Sequence, residues 1–286
     1  MAIVVTGATG NLGGLVVDEL LKRGVPSNGI VAAGRNADRL SEHKSRGVRT
    51  ARIDYDDVDS MRGAFAGADK LLLISASQTG QRFRQHGNAI TAAGDVRVGL
   101  VAYTSIVRAD SSTLILAAEH RATENMLRDS GLPYVFLRYS WYMENYTSQI
   151  SGYLDEGAIL GCADDGRVSA AAHADLASAA AVVLTTDGQE GEVYELGGDD
   201  AFTMSELAAE ITKQAGRRVE YQNFSVDAYR DLLIRQGLPP DDAALIADGD
   251  RGVAAGELFV ETGDLSRLIG RPTKRLADAI AETLSS

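Results

Sequence analysis

Three glycines, Gly7, Gly10 and Gly13, stand between a β-branched run and a helical repeat, and no other stretch limits the fold so strongly. Ile3, Val4 and Val5 form an apolar run too short for a helix and suited to a strand buried on both faces. After the turn, Leu12, Leu15, Val16, Glu19 and Leu20 recur at helical spacing, and Gly24 falls where a C-terminal cap belongs. A strand, a glycine-rich turn and a helix N-terminus in direct succession make an anion site. Backbone N–H groups reach a diphosphate where no Cβ intervenes, and the helix dipole favours negative charge there. The spacing is G-x-x-G-x-x-G rather than the commoner G-x-G-x-x-G, and a glycine-rich turn without a ligand is the competing reading. The flanking strand and helix favour a dinucleotide.

The alternation continues through the first half of the chain. Strands are expected at 29–34, 48–53, 71–74, 99–103 and 134–137, and helices at 37–46, 57–66 (capped by Asp56), 81–93 and 114–130. Buried strands alternating with helices imply an α/β fold, a Rossmann-type doubly wound parallel sheet. Past residue 140 the rhythm breaks. An aromatic-rich helix is expected over 141–152, an alanine-rich helix over 173–185 and a buried strand at 193–196 that rejoins the main sheet. A helix at 204–215, a strand at 219–223 and helices at 228–236 and 275–284 follow. The division expected is a dinucleotide-binding Rossmann domain over 1–150, receiving the strand near 193–197. A smaller α/β lobe over 151–286 is built from interleaved segments and C-terminal helices.

With 286 residues, 45% hydrophobic and 24% charged, the chain has the composition of an ordinary globular protein with a substantial core. A formal charge of −12 argues against nucleic acid or an anionic membrane surface as the main partner. The only cysteine, Cys162, excludes an intrachain disulfide framework, and the four histidines fall on unrelated segments without metal-ligand spacing. No apolar run approaches the ~20 residues that span a bilayer. The N-terminus runs straight into a strand rather than a signal peptide, so a cytoplasmic protein without membrane insertion is expected.

In a sheet of this kind the tip of the second strand meets the adenosine ribose, and an acidic residue there binds the 2′-OH of NAD. Here that place holds Arg35, and a guanidinium, always charged and able to donate two parallel bonds, suits the 2′-phosphate of NADP. A solvated surface arginine is the plainer alternative. Asp54, ending the third strand, either accepts from the adenine amino group or caps the following turn. Ser75, Ala76, Ser77 and Gln78 end the fourth strand on the same carboxyl edge, where open α/β sheets bind ligands.

The turn Thr6–Gly13, Arg35, and the segments 71–75, 102–105, 119–124, 138–146, 193–196 and 268–273 together resemble the NmrA-like group of atypical short-chain dehydrogenase/reductases. The resemblance covers nearly the whole chain and is most marked toward the bacterial type 2 NAD(P)H:quinone oxidoreductases. It implies NADP (NADPH) as cofactor. The cofactor residues implied in the turn are Gly7, Thr9, Gly10, Asn11, Leu12 and Gly13. Arg35, Asp54, Ser75, Ala76, Ser77, Gln78 and Thr104 follow at the strand ends, and Tyr139, Ser140, Trp141 and Tyr142 in the loop after the sixth strand. It implies His120, Tyr139 and Trp141 as catalytic residues, with the aromatic cluster as a flat wall for the substrate. Tyr139 stands where a small polar residue such as asparagine is expected.

One departure from the wider superfamily bears on the substrate. Ordinary short-chain reductases carry Tyr-x-x-x-Lys on the helix after the fifth strand, and Leu116 and His120 occupy the corresponding positions here. An aliphatic side chain donates no proton, and reducing a simple ketone makes an alkoxide that needs an acid nearby. A quinone aromatises on reduction and takes its proton from water or an imidazole. The expected activity is therefore NADPH-dependent reduction of a quinone to the hydroquinone. His120 is left to position the nicotinamide ribose, to supply a proton or to be structural. The competing reading is a non-catalytic NADP-binding redox sensor of the NmrA type. A small-molecule quinone is the expected partner, and a homodimer is compatible with this class.

Overall fold

The computed structural model describes residues 1–76 and 78–285. β1 (Ile3–Val5), buried throughout, leads through the glycine turn into α1 (Asn11–Lys22). The alternation then runs β2 (Ile30–Gly34), α2 (Ala37–Ser45), β3 (Arg49–Arg52), α3 (Val58–Phe65), β4 (Lys70–Leu73) and α4 (Arg82–Asp95). β5 (Leu100–Ile106), α5 (Ile115–Asp129) and β6 (Tyr134–Tyr139) complete it. Next come β7 (Trp141–Tyr142), α6 (Glu144–Thr147), α7 (Ile150–Glu156), β8 (Ala158–Gly161), β9 (Ala170–Ala171), α8 (His173–Thr185) and β10 (Val193–Leu196). The remainder is α9 (Met204–Ala215), β11 (Glu220–Asn223), α10 (Val226–Arg235), α11 (Pro240–Ala254), α12 (Asp264–Ile269) and α13 (Leu276–Leu284).

Seven strands form one parallel sheet in the order β10-β6-β5-β4-β1-β2-β3, as the doubly wound reading requires. The strand order reverses between β1 and β4, and the crevice outside their carboxyl ends is where such sheets bind ligands. The chain divides into two compact units, the first comprising Met1–Ala109, Glu119–Arg138 and His173–Tyr194. The second comprises Asp110–Ala118, Tyr139–Ala172 and Glu195–Ser286. In the first unit Val4, Leu71, Leu73, Val101 and Phe136 pack against Met61 and Phe65 of α3 and against the alanines of α4. The small residues of α8 are nearly all buried and let that helix lie close on α1. In the second unit β8 pairs with β11 and β7 with β9, both in parallel. Cys162, Tyr229, Leu233, Ala243 and Ala247 form its core under α10 and α11.

Where the structure departs from the sequence expectation, packing explains it. The helix expected over 141–152 opens instead with β7, whose Trp141 and Tyr142 pair with Ala170 and Ala171, and resumes as two short helices. α3 is capped by Asp57, which accepts from the amides of Asp59 and Ser60, not by Asp56. Asp56 is drawn off by the guanidinium of Arg84. Among the described residues no helix is long and apolar enough to cross a membrane.

Candidate active site

The glycine turn is built for close approach. Gly7 sits at φ +60°, a left-handed conformation that L side chains resist, and its carbonyl accepts from Gly10 N at 2.9 Å. A Cβ on Gly13 would lie 2.3 Å from Gly7 O, so the first turn of α1 lies directly on the glycine turn. Gly10 is the N-cap of α1, no side chain caps the helix, and its first turn carries no acidic residue. The amides of Asn11, Leu12 and Gly13 thus open the helix with no side-chain acceptor, which suits a diphosphate. α2 braces the turn from outside, with Arg39 donating to Thr9 O at 3.2 Å and His43 Nε2 lying 3.0 Å from Ala8 O.

A cleft of about 250 Å³ opens at the switch point, with Gly7, Thr9 and Gly10 forming one side. Arg35 and Asp54, at the ends of β2 and β3, and Ser75, Ala76 and Gln78, after β4, line the rest. Eight of the residues expected from sequence therefore meet around one cavity. Arg35 is exposed and makes no hydrogen bond or ion pair among the described residues. Ser77 lies outside the described residues. Thr104 is buried behind the wall, its hydroxyl accepting from Ser75 N at 2.9 Å. Asn11, Leu12 and Gly13 follow the turn on α1, Leu12 with its side chain in the core.

Sequence reasoning missed Gly34, Ile53, Tyr55, Ile74 and Gln85, which also line the cleft. Tyr55, next to Asp54 at the carboxyl end of β3, was accessible to the same strand-end argument. Its hydroxyl reaches Thr6 Oγ1 at 2.8 Å and Ile74 O at 2.9 Å, and burial pushes the phenol up to about 12. Gln85 comes from α4, and no local signal marks it.

His120 is buried on α5 with Nδ1 2.8 Å from the Tyr103 hydroxyl. Tyr139, Ser140, Trp141 and Tyr142 belong to the second unit. There Ser140 donates to Leu258 O at 2.7 Å, and Trp141 and Tyr142 are half-buried in β7. Tyr139 is 4% exposed, edge-on to Tyr142, and its buried hydroxyl has no hydrogen-bond partner among the described residues.

Two histidines of the first unit are held neutral. Burial, with the nearby Arg82 guanidinium adding to it, lowers both His86 and His120 to about 3. An unfolded histidine titrates near ~6.5. The unfolded chain therefore takes up protons first as pH falls, and the stability held by the neutral rings is full above that value and lost on the way down toward 3. At pH 5 each ring is expected to cost about 2 kcal/mol relative to neutral pH. Asp250, in the second unit, opposes this, because burial raises its carboxyl to about 6 and it gains stability as pH falls through that value. Urea unfolding across pH 5–8 should show acid destabilisation, and His120→Gln should flatten the slope by about one proton. An unchanged slope in that variant would mean the ring is not buried neutral.

The fold is that of an α/β dinucleotide-binding protein, with a cleft at the switch point of its sheet. The sequence profile described as NAD(P)H-binding matches residues 7–187, and the chain belongs to that NAD(P)H-binding, NmrA-like family. Quinone oxidoreductase 2 of Escherichia coli K12 is 46% identical to it over 98% of this chain and 97% of that one. The crystal structure of the NADPH-dependent quinone oxidoreductase QOR2 of E. coli complexed with NADPH superposes with a TM-score of 0.96. That match has 45% identity and covers 99% of both chains. Citrobacter sp. triphenylmethane reductase complexed with NADP(H) gives a TM-score of 0.93 at 35% identity, covering 99% of this chain and 100% of that one.

Proposed function

We propose that this protein is an NADPH-dependent quinone reductase, in which NADPH supplies a hydride, water the proton, and the quinone leaves as the hydroquinone. The observation that carries the reading is Arg35, an unpaired guanidinium on the rim of the cleft, in a chain 46% identical to a quinone oxidoreductase. A 2′-phosphate gives that cation its partner, while a 2′-hydroxyl does not. The glycine turn and the uncapped start of α1 take the diphosphate. His120, neutral and tied to Tyr103, positions more readily than it protonates, which suits an acceptor that gains aromaticity and asks little of an acid. We assign Tyr139, Trp141 and Tyr142 to the aromatic surface that a flat ring stacks on, with the unpartnered Tyr139 hydroxyl as a donor to a ring oxygen. A cytoplasmic location fits this reading.

Steady-state assays should show NADPH oxidation with benzoquinones and naphthoquinones and little with aliphatic ketones. Arg35→Ala removes a charge-assisted pair worth about 1.5–3 kcal/mol, so KM for NADPH should rise ~10- to 150-fold with NADH little changed. Equal losses for the two cofactors would remove Arg35 from the 2′-phosphate. Tight NADPH binding with no quinone reduced would transfer the assignment to a redox sensor.

A further inference from the structure

The β4 edge of the cleft is held by side chains rather than by a neighbouring strand. The amide of Ile74 donates to Thr6 Oγ1, that of Ser75 to Thr104 Oγ1 and that of Ala76 to His86 Nε2, each at 2.9 Å. The Ala76 carbonyl accepts from Arg82 Nε at 2.6 Å. Three consecutive amides thus end on acceptors from three separate elements, and α4 grips both polar groups of Ala76 with side chains four residues apart. Ser75 and Ala76 are themselves walls of the cleft.

The tautomer of His86 follows from its partners. An amide N–H only donates, so Nε2 must carry the lone pair and the ring proton sits on Nδ1. Nδ1 lies 2.8 Å from Thr123 Oγ1, and that hydroxyl is free to accept because its own proton goes to Glu119 O at 3.0 Å. A relay through α5 therefore fixes which nitrogen faces Ala76. The ring is 0% exposed, and burial keeps it neutral at physiological pH, so the acceptor is not lost to protonation.

We propose that His86 is a positioning residue for the cofactor: its Nε2, oriented through Thr123, holds the Ala76 amide and sets the height of the Ser75–Ala76 peptide against the dinucleotide cleft. This rests on reading the cleft as the NADPH site. A buried, irregular segment needs its amides satisfied in any protein. An imidazole braced from a second helix adds an acceptor whose orientation is held from outside the cleft.

His86→Leu removes the acceptor, His86→Gln restores one at similar reach, and Thr123→Val leaves the imidazole but removes the acceptor of its Nδ1 proton without touching the cleft lining. NADPH affinity is read by fluorescence titration, with kcat, KM and the melting temperature of the protein without cofactor measured alongside. His86→Leu should weaken NADPH about tenfold, the loss of roughly one hydrogen bond, with KM raised and kcat within about twofold. His86→Gln should return affinity to within about twofold, and Thr123→Val should weaken it by about threefold or more. Unchanged affinity in both His86→Leu and Thr123→Val overturns the proposal. So does a fall in melting temperature with affinity unchanged, the mark of a structural role alone. If His86→Leu does not fold, Thr123→Val and His86→Gln decide. If the unsubstituted protein binds no NADPH, the reading of the cleft itself fails; if it binds and the variants bind equally, only the positioning fails.

Discussion

Glu124→Ala is expected to destabilise the protein by about 3–5 kcal/mol, because it takes the bidentate carboxylate from a buried guanidinium. Glu124 is 0% exposed and Arg138 4% exposed. Arg138 donates to Glu124 from Nε at 2.9 Å and from Nη2 at 2.6 Å, a bidentate pair that ties β6 to α5. Ser105 of β5 and Arg128 add hydrogen bonds at 2.7 and 3.0 Å, so three neighbouring elements meet on one carboxylate. Removing the carboxylate takes from a buried guanidinium its bidentate partner, whereas replacing both by apolar residues removes the desolvation cost on each side. Urea unfolding should show the large loss for Glu124→Ala and a much smaller one for Glu124→Met combined with Arg138→Met. Equal losses for the single and the double variant would mean that packing, not charge, holds this junction.

Gly13→Val should abolish cofactor binding and lower stability together, while Gly10→Val should abolish binding and largely spare the fold. The difference lies in what each new Cβ meets. At Gly13 it would lie 2.3 Å from Gly7 O and 2.6 Å from Gly7 C, backbone atoms that yield only if the turn itself moves. At Gly10 it meets only Gly7 O, at 3.3 Å, and the branched side chain would stand in the cleft that Gly10 lines. NADPH affinity is expected to fall more than about 100-fold in both, the loss of a diphosphate site made from several amides. Circular dichroism and thermal melting separate them. A Gly10→Val protein that folds and binds NADPH normally would remove the diphosphate from this turn.

Much of the first unit is legible because its physics is local. Buried β-branched runs and helical repeats mark the strands and helices, and the alanine-rich helix at His173–Thr185 and the strand at Val193–Leu196 fall where the residues place them. α11 is hidden because its sequence contains Gly249 and Gly252, which lower helix propensity and blur the apolar repeat. At Gly252 the reason is tertiary. A Cβ on Gly252 would lie 2.5 Å from the Leu114 side chain, whereas one on Gly249 would make only ordinary contact with the Trp141 ring at 3.4 Å. The two-residue strand at Trp141–Tyr142 is likewise dictated by its pairing with Ala170–Ala171, which no window around residue 141 contains. At the cleft, the placement of Arg35, Asp54 and the glycine turn was legible because each directly follows a strand. Gln85 and His86 were not, because a helical side chain reaches the cleft or its wall only through the way α4 packs.

The most direct test mixes the purified protein anaerobically with one equivalent of NADPH and an excess of a naphthoquinone, following absorbance at 340 nm and the hydroquinone formed. One hydroquinone should appear for each NADPH consumed, and NADPH deuterated at the transferring position of the nicotinamide should slow that single turnover. NADPH that binds stoichiometrically and persists unoxidised with every quinone supplied would contradict the account.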